Sequence, residues 1–530
     1  MNYRPDVVLI APRLHTLTDA PPKGPTAIAI SGGRIVRMAP ASTAQDWTAQ
    51  ETVHLPPEST LVPGFVDSHS HPISGLALTE GVNLSGCRDL ADARRRIADE
   101  AGRGGTRGWV LGWGLDPNLF EAGHLPHRDS IDDVTGTLPG LIRLADSHSA
   151  LANTTALQLA HIGVTNGKDL PDIIREPGGA PTGLLQEFEA MSLVEEHIPV
   201  EPEAARRGRL MHLLQQMASS GLTAAFAMDA SDDPENLLTA IEDGGHLPMK
   251  LRLSPWCMPE QTVDEITTRL GRHGRRWCIE GVKLFLDGTI DNGTAWLESP
   301  DQFGQSTTST WSDPDAYAER VLWFDEHNIP TATHAIGDAA IAHALKTLHR
   351  QLLRTHHRIE HLETMPLETV RLLAHPRIAA SVQPTHCTHF TSADRKDNWS
   401  VRLGRQRADT GWRTRDILNM GTTLALGSDW PIAPFAPLAT MADAQLRRVA
   451  GRPEQTPIHP EQGLTAREAL AGYTTSAYAS IGRAGGAIAV GAEADITVLN
   501  RDPLTTPPDE LLETRVLATM VDGTFSHRTL

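Results

Sequence analysis

The histidines and acids of this sequence fall into a pattern with chemical meaning. In the segment VPGFVDSHSHP, His69 and His71 stand two apart directly after an apolar run. Side chains two apart on a strand point to the same side, so both imidazoles can face one cavity and chelate one metal ion. Three further polar residues close later apolar runs in the same way: His334 in IPTATHAIGD, His361 in HRIEHLE and Asp429 in LALGSDWP. Imidazole and carboxylate donors suit zinc, manganese or iron. Each of these residues alone is as easily structural, but their joint placement is hard to explain without a metal.

Lys283, in GVKLFLDGT, lies inside another apolar run, where a buried ammonium is costly without a partner. One reading is a salt bridge to Asp287 or another acid. The sharper one is reaction of the amine with carbon dioxide to a carbamate, an anion able to bridge two divalent ions. Asp287, followed by Gly288, is expected to orient a ligand or turn the chain. Gln383 and His386, in SVQPTH, end a further run and are candidates to meet a substrate. His386 and His389 form a rival metal pair, but a spacing of three is poor for a strand.

Residues this far apart in the chain can meet only if the elements carrying them converge. From about Thr60 to about Arg483, short apolar runs alternate with longer helical stretches, as repeated βα units do. The runs LVPGFVDSH, TAAFAMD, MKLRLSPW, GVKLFLDG, IPTATHA, HRIEHLE, IAASVQP and TTLALGSDW supply eight candidate strands, each ending in polar residues. In a parallel barrel those endings form the active-site mouth. The expected fold class is therefore α/β, a TIM (β/α)8 barrel over residues 61–483. The stretch from about 85 to 205 is longer than one barrel helix requires and reads as an insertion over the mouth, a lid with substrate contacts, in preference to an independent domain. Residues 1–60 and 484–530 are β-rich and predict a small β-sandwich domain built from both termini.

Composition narrows the function further. The 530 residues exceed the usual size of one hydrophobic core. Lys and Arg number 47 against 65 Asp and Glu, and the resulting charge of −18 repels phosphate backbones and anionic membranes, so neither is an expected partner. The apolar stretch Val7 to Ala11 is too short for a signal-peptide core, no apolar run is long enough to cross a bilayer, and a cytoplasmic protein is expected. Cys87, Cys257, Cys278 and Cys387 lack any CxxC spacing and predict neither disulfides nor a thiolate site. The 24 histidines direct attention to metal chemistry instead.

Together, VPGFVDSHSHP, GVKLFLDGT, THAIGD, RIEHLE, VQPTH and GSDWPI resemble amidohydrolase family 3, the group with the YtcJ-like proteins and N-substituted formamide deformylases, over nearly the whole chain. The resemblance implies a binuclear site in which His69 and His71 bind one metal, His334 and His361 the other, and a carboxylated Lys283 bridges them. Asp429 would ligate the first metal and handle protons. The implied reaction is hydrolysis of a carbon–nitrogen bond (amide, formamide or imide-like) in a small molecule by a metal-activated water, with one or two divalent ions, zinc first and manganese or iron as alternatives. His148, in ADSHSALAN, and Trp113, in GWGLD, resemble family positions near the active site and join Asp287, Gln383 and His386 as candidate substrate contacts. Two other readings remain: a mononuclear deaminase-type aminohydrolase, and a silent scaffold, which predicts missing ligands. A homodimer is the base-rate expectation.

Overall fold

The computed structural model describes residues 4–120, 125–145, 147–163, 170–230 and 233–530. The chain divides into two compact units, one comprising the residues up to Ile73 together with Arg207–Leu530, the other Ser74–Arg206.

In the first unit every one of the eight apolar runs contains a strand: β1 Phe65–Ser70, β2 Leu222–Ala227, β3 Lys250–Leu253, β4 Val282–Phe285, β5 Thr331–Ala335, β6 His357–His361, β7 Ile378–Val382 and β8 Thr423–Leu426. β1, β2 and β3 pair in parallel in one sheet, and β4 to β8 pair in parallel in a second. Parallel bridges Trp256↔Lys283 and Ser70↔Trp430 join the two sheets at both ends, so the eight strands follow one another in a ring. Helices Pro234–Gly244, Pro314–Glu326 and Asp338–Leu348 alternate with them. The arrangement is a TIM-barrel-like α/β fold. Strands covered on both faces need no polar side, which is why they read as nearly continuous apolar runs.

The chain ends are β-rich. Val7–Ala11, Thr26–Ser31, Arg34–Pro40 and Glu51–His54 form one sheet, and Thr60–Pro63 pairs with Ile496–Leu499 in another that continues through Val516–Val521 and Thr524–Arg528. Leu9, Ile28, Ile30 and Leu61 share one core with Ile496, Val498 and Met520. Val8, Ala27 and Ala29 point the other way into a separate core, the period-two alternation of a pleated strand. Lys250 ties β3 to this region, its Nζ lying 2.7 Å from each of Glu493, Asp495 and Asp522.

The unit Ser74–Arg206 contains the stretch expected as an insertion and begins some residues earlier. It holds a six-stranded sheet whose order runs Ile173–Arg175, Pro181–Gln186, Ser149–Ala152, Gly140–Leu144, Val110–Leu115, Val82–Asn83. Among the described residues no helix is long and apolar enough to cross a membrane.

Candidate metal centre

The ends of the ring strands bring the singled-out donors together. His69 sits near the end of β1, His71 just beyond it, Lys283 on β4, His334 on β5, His361 at the end of β6 and Asp429 after β8. Asp429 Oδ1 lies 3.1 Å from His71 Nε2 and 3.4 Å from His69 Nε2. The rings of His69 and His361 are 4.8 Å apart, and those of His361 and His334 4.4 Å. Donor atoms of His69, His361 and Asp429, all buried, lie within 4.8 Å of one another. This triad cuts across the expected division into an HxH pair and a His334–His361 pair.

Backbone geometry explains how His361 arrives there. Register aligns Phe285, His334, Glu360 and Ser381 across β4 to β7, so Glu360, not His361, shares a layer with His334. Simple alternation would turn His361 to the opposite face. His361 and Leu362 instead adopt left-handed φ values of 72° and 57°, which breaks the alternation. Asp429 is also left-handed, at 58°, and its amide donates to the His69 carbonyl at 2.7 Å. Such conformations in non-glycine residues cost about 1–3 kcal/mol each and persist where the surroundings impose them. Gly427 allows the close approach of β8 to β1, since a Cβ there would stand 2.6 Å from the His69 nitrogen.

Electrostatics prepares the donors for a cation. Burial, reinforced by the Lys283 ammonium, holds the His69 imidazolium pKa down at about 4. His361 is pushed well below its ordinary value, first by burial and then by His334 and His69. Both are therefore neutral, with lone pairs to give. Burial opposes protonation of His71 too, but Asp229 and Asp429 outweigh it and raise the group to about 9. Asp429 lies far below the usual carboxylate range: burial acts against ionisation, and His69 and His71 overcome it. The two neutral imidazoles of His69 and His361 beside an ionised carboxylate suit a divalent ion, whereas His71 must give up its proton before it can ligate one.

Lys283 is fully buried, with Nζ 3.5 Å from His69 Nε2. Among the described residues no carboxylate lies within ion-pair distance of it, so the salt bridge to Asp287 does not form. Asp287 accepts main-chain amides instead: Ile336 at 3.0 Å, Gly337 at 2.8 Å and Trp296 at 2.9 Å. Two of those amides follow β5, so Asp287 fixes the chain that carries His334. Burial, only partly offset by the charges of Glu360 and Asp429, lowers Lys283 to about 8.

The remaining candidates separate. Gln383 follows β7, and its Oε1 lies 2.9 Å from His361 Nδ1. His386 does not end a strand: it sits on the short helix Pro384–Phe390, because Pro384 supplies a favourable first helical turn. Its Nε2 is buried, without a hydrogen bond, 3.6 Å from Asp429 Oδ2. On a helix a spacing of three puts His386 and His389 on one side, yet His389 Nε2 pairs with Asp443 at 3.1 Å and no rival metal pair arises. Trp113 and His148 belong to the unit Ser74–Arg206, Trp113 on the strand Val110–Leu115 and His148 with Nδ1 3.1 Å from Glu187 Oε2.

Three acids escaped the sequence reading. Asp229 follows β2 with Oδ2 3.7 Å from His71 Nδ1, Glu360 meets His69 at 2.6 Å, and Glu363 accepts the Trp399 indole N–H at 2.7 Å. Asp229 closes the run TAAFAMD as Asp429 closes its own, and that signal was available. Glu360 stands beside His361 inside a motif already singled out, but only the register reveals its face.

A family model described as "Amidohydrolase family" matches residues 58–527. The chain is 27% identical to the putative amidohydrolase YtcJ of Bacillus subtilis, over 88% of each chain. It is 25% identical to an N-substituted formamide deformylase of Arthrobacter pascens, over 99% of each. A solved metal-dependent hydrolase from Pyrococcus horikoshii superposes with a TM-score of 0.72 at 25% identity, covering 95% of this chain and 99% of that one.

Proposed function

The chain belongs to the amidohydrolase family, as a metal-dependent hydrolase acting on carbon–nitrogen bonds, and on that premise we propose that it cleaves an amide, formamide or imide-like bond of a small molecule. The observation that carries the reading is the buried triad of His69, His361 and Asp429, with donor atoms within 4.8 Å of one another. The similarity to a formamide deformylase over 99% of both chains supports the bond type.

In this reading the eight-membered strand ring is a closed (β/α)8 barrel, and the β-rich termini form a sandwich. His69, His361 and Asp429 would hold the first ion, with His71, His334 and Lys283 around them. Zinc is the first choice, with manganese or iron next. Such an ion, when bound, supplies Lewis acidity and a water that ionises near neutral pH. Asp429 then takes a proton on its carboxylate and returns it to the leaving nitrogen. His386, whose buried Nε2 lies 3.6 Å from Asp429 Oδ2, would contact the substrate beside that carboxylate. Lys283, with its amine near 8, is neutral often enough at neutral pH to add carbon dioxide, forming the N–C bond of a carbamate and losing a proton.

One observation favours a second reading. His334 Nε2 lies 3.0 Å from the Gly288 carbonyl oxygen, outside the triad, which suits a mononuclear, deaminase-type aminohydrolase. Elemental analysis of the purified protein, followed by a screen of N-substituted formamides, cyclic imides, acylated amines and ring amidines, separates the two. Hydrolysis of a formamide, imide or acylated amine with bound metal, read as amine released or as carboxylate formed by ring opening, supports the proposal. Ammonia released from ring amidines alone supports the second reading, and neither metal nor turnover sinks both.

A further inference from the structure

His69 faces two ways. Its Nε2 lies 3.4 Å from Asp429 Oδ1, while its Nδ1 is 2.6 Å from Glu360 Oε2, and both residues are fully buried. Glu360 is itself clamped: Arg358 donates Nε to Oε1 and Nη2 to Oε2, each at 2.9 Å. The same Nη2 donates to the Ser68 carbonyl at 2.7 Å and to Ser381 Oγ at 2.9 Å, which ties the clamp to β1 and β7. A buried ion pair costs desolvation that two apolar side chains would avoid, so packing alone gives no reason to keep it.

We propose that Glu360 is a positioning residue that holds His69 as the Nδ1–H tautomer, with Arg358 fixing Glu360 for that task. A neutral imidazole carries one N–H, and a carboxylate is acceptor-only, so the proton sits on Nδ1 and the Nε2 lone pair faces the triad. The register leaves no substitute on β6. Glu363, the next acid along, is engaged by the Trp399 indole at 2.7 Å. This inference rests on the metal reading above, in which His69 is a ligand. Groups that orient ligating histidines are worth roughly 10–100-fold in metal affinity.

The test is a double variant, Arg358→Met with Glu360→Leu, which replaces the ion pair by apolar groups of similar size. Zinc affinity, measured by competition with a chromophoric chelator, is expected to fall roughly 10–100-fold while the metal-free protein keeps its secondary structure. A folded variant binding zinc within about twofold of the parent overturns the role of Glu360 alone. A parent protein that takes up no zinc overturns the metal centre and this assignment with it. Should the variant not fold, 15N-histidine spectra of the metal-free parent decide, with His69 assigned by its loss in His69→Gln. A proton on Nδ1 supports the proposal, and a proton on Nε2 overturns it.

Discussion

The amide of Asp429 donates to the carbonyl oxygen of His69 at 2.7 Å, a main-chain bond between β1 and the segment after β8, which lie side by side where the ring closes. The carboxylate and the imidazole are thus set against each other by backbone, not by side-chain rotamer. A site held this way tolerates conservative exchange of one donor without collapse.

Asp429→Asn keeps the shape and the main-chain amide, and exchanges an anionic donor and proton acceptor for a neutral carboxamide oxygen. It should retain most of the bound metal while turnover falls roughly 10³-fold, within the range general acid–base groups supply. Elemental analysis beside steady-state kinetics checks both halves. Near-parental turnover removes Asp429 from the proton-handling role.

Lys283→Ala removes the amine that is poised, at about 8, to form a carbamate. Activity should drop with it and return in part when short-chain carboxylic acids are added, because a free carboxylate can occupy the vacated bridge. Full metal occupancy and full rate without such rescue would sink the carbamate.

The metal-free protein should lose stability as pH rises from about 6.5 toward 8. His71 is raised to about 9, against burial, by Asp229 and Asp429. A histidine whose folded pKa exceeds its unfolded value stabilises fully below the unfolded value and loses that contribution on the way up. The full effect is about 3 kcal/mol by pH 9, but above pH 8 the depressed Lys283 adds an opposite slope. Thermal midpoints of chelator-treated parent and His71→Asn protein test this, since the variant should lose clearly less stability than the parent across the window, any slope from the raised Glu363 being common to both.

Gly427→Ala should cost about 1–3 kcal/mol and reduce activity, although Gly427 bears no functional group. The added Cβ would sit 2.6 Å from the nitrogen and 2.8 Å from the Cβ of His69, forcing β1 to shift. Denaturant midpoints and zinc affinity report the two effects, and unchanged values for both would show that the strands have slack.

What local chemistry governs was legible in the chain. Runs buried on both faces must be apolar, so eight strands announced themselves, and their polar endings named His69, His71, His334, His361 and Asp429. The missing pieces depend on contacts between residues tens to hundreds of positions apart. Glu360 reads as a neighbour of His361 until β5 and β6 pair and set it in the layer of His334. The left-handed turn at His361 and the amides gathered by Asp287 likewise exist only once the strands close up. Alternation and hydrophobicity are properties of a segment, so the sequence by itself determined which residues could act. Register and main-chain strain are properties of the assembled sheets, so the tertiary structure alone decided which donors share one triad and which groups aim them.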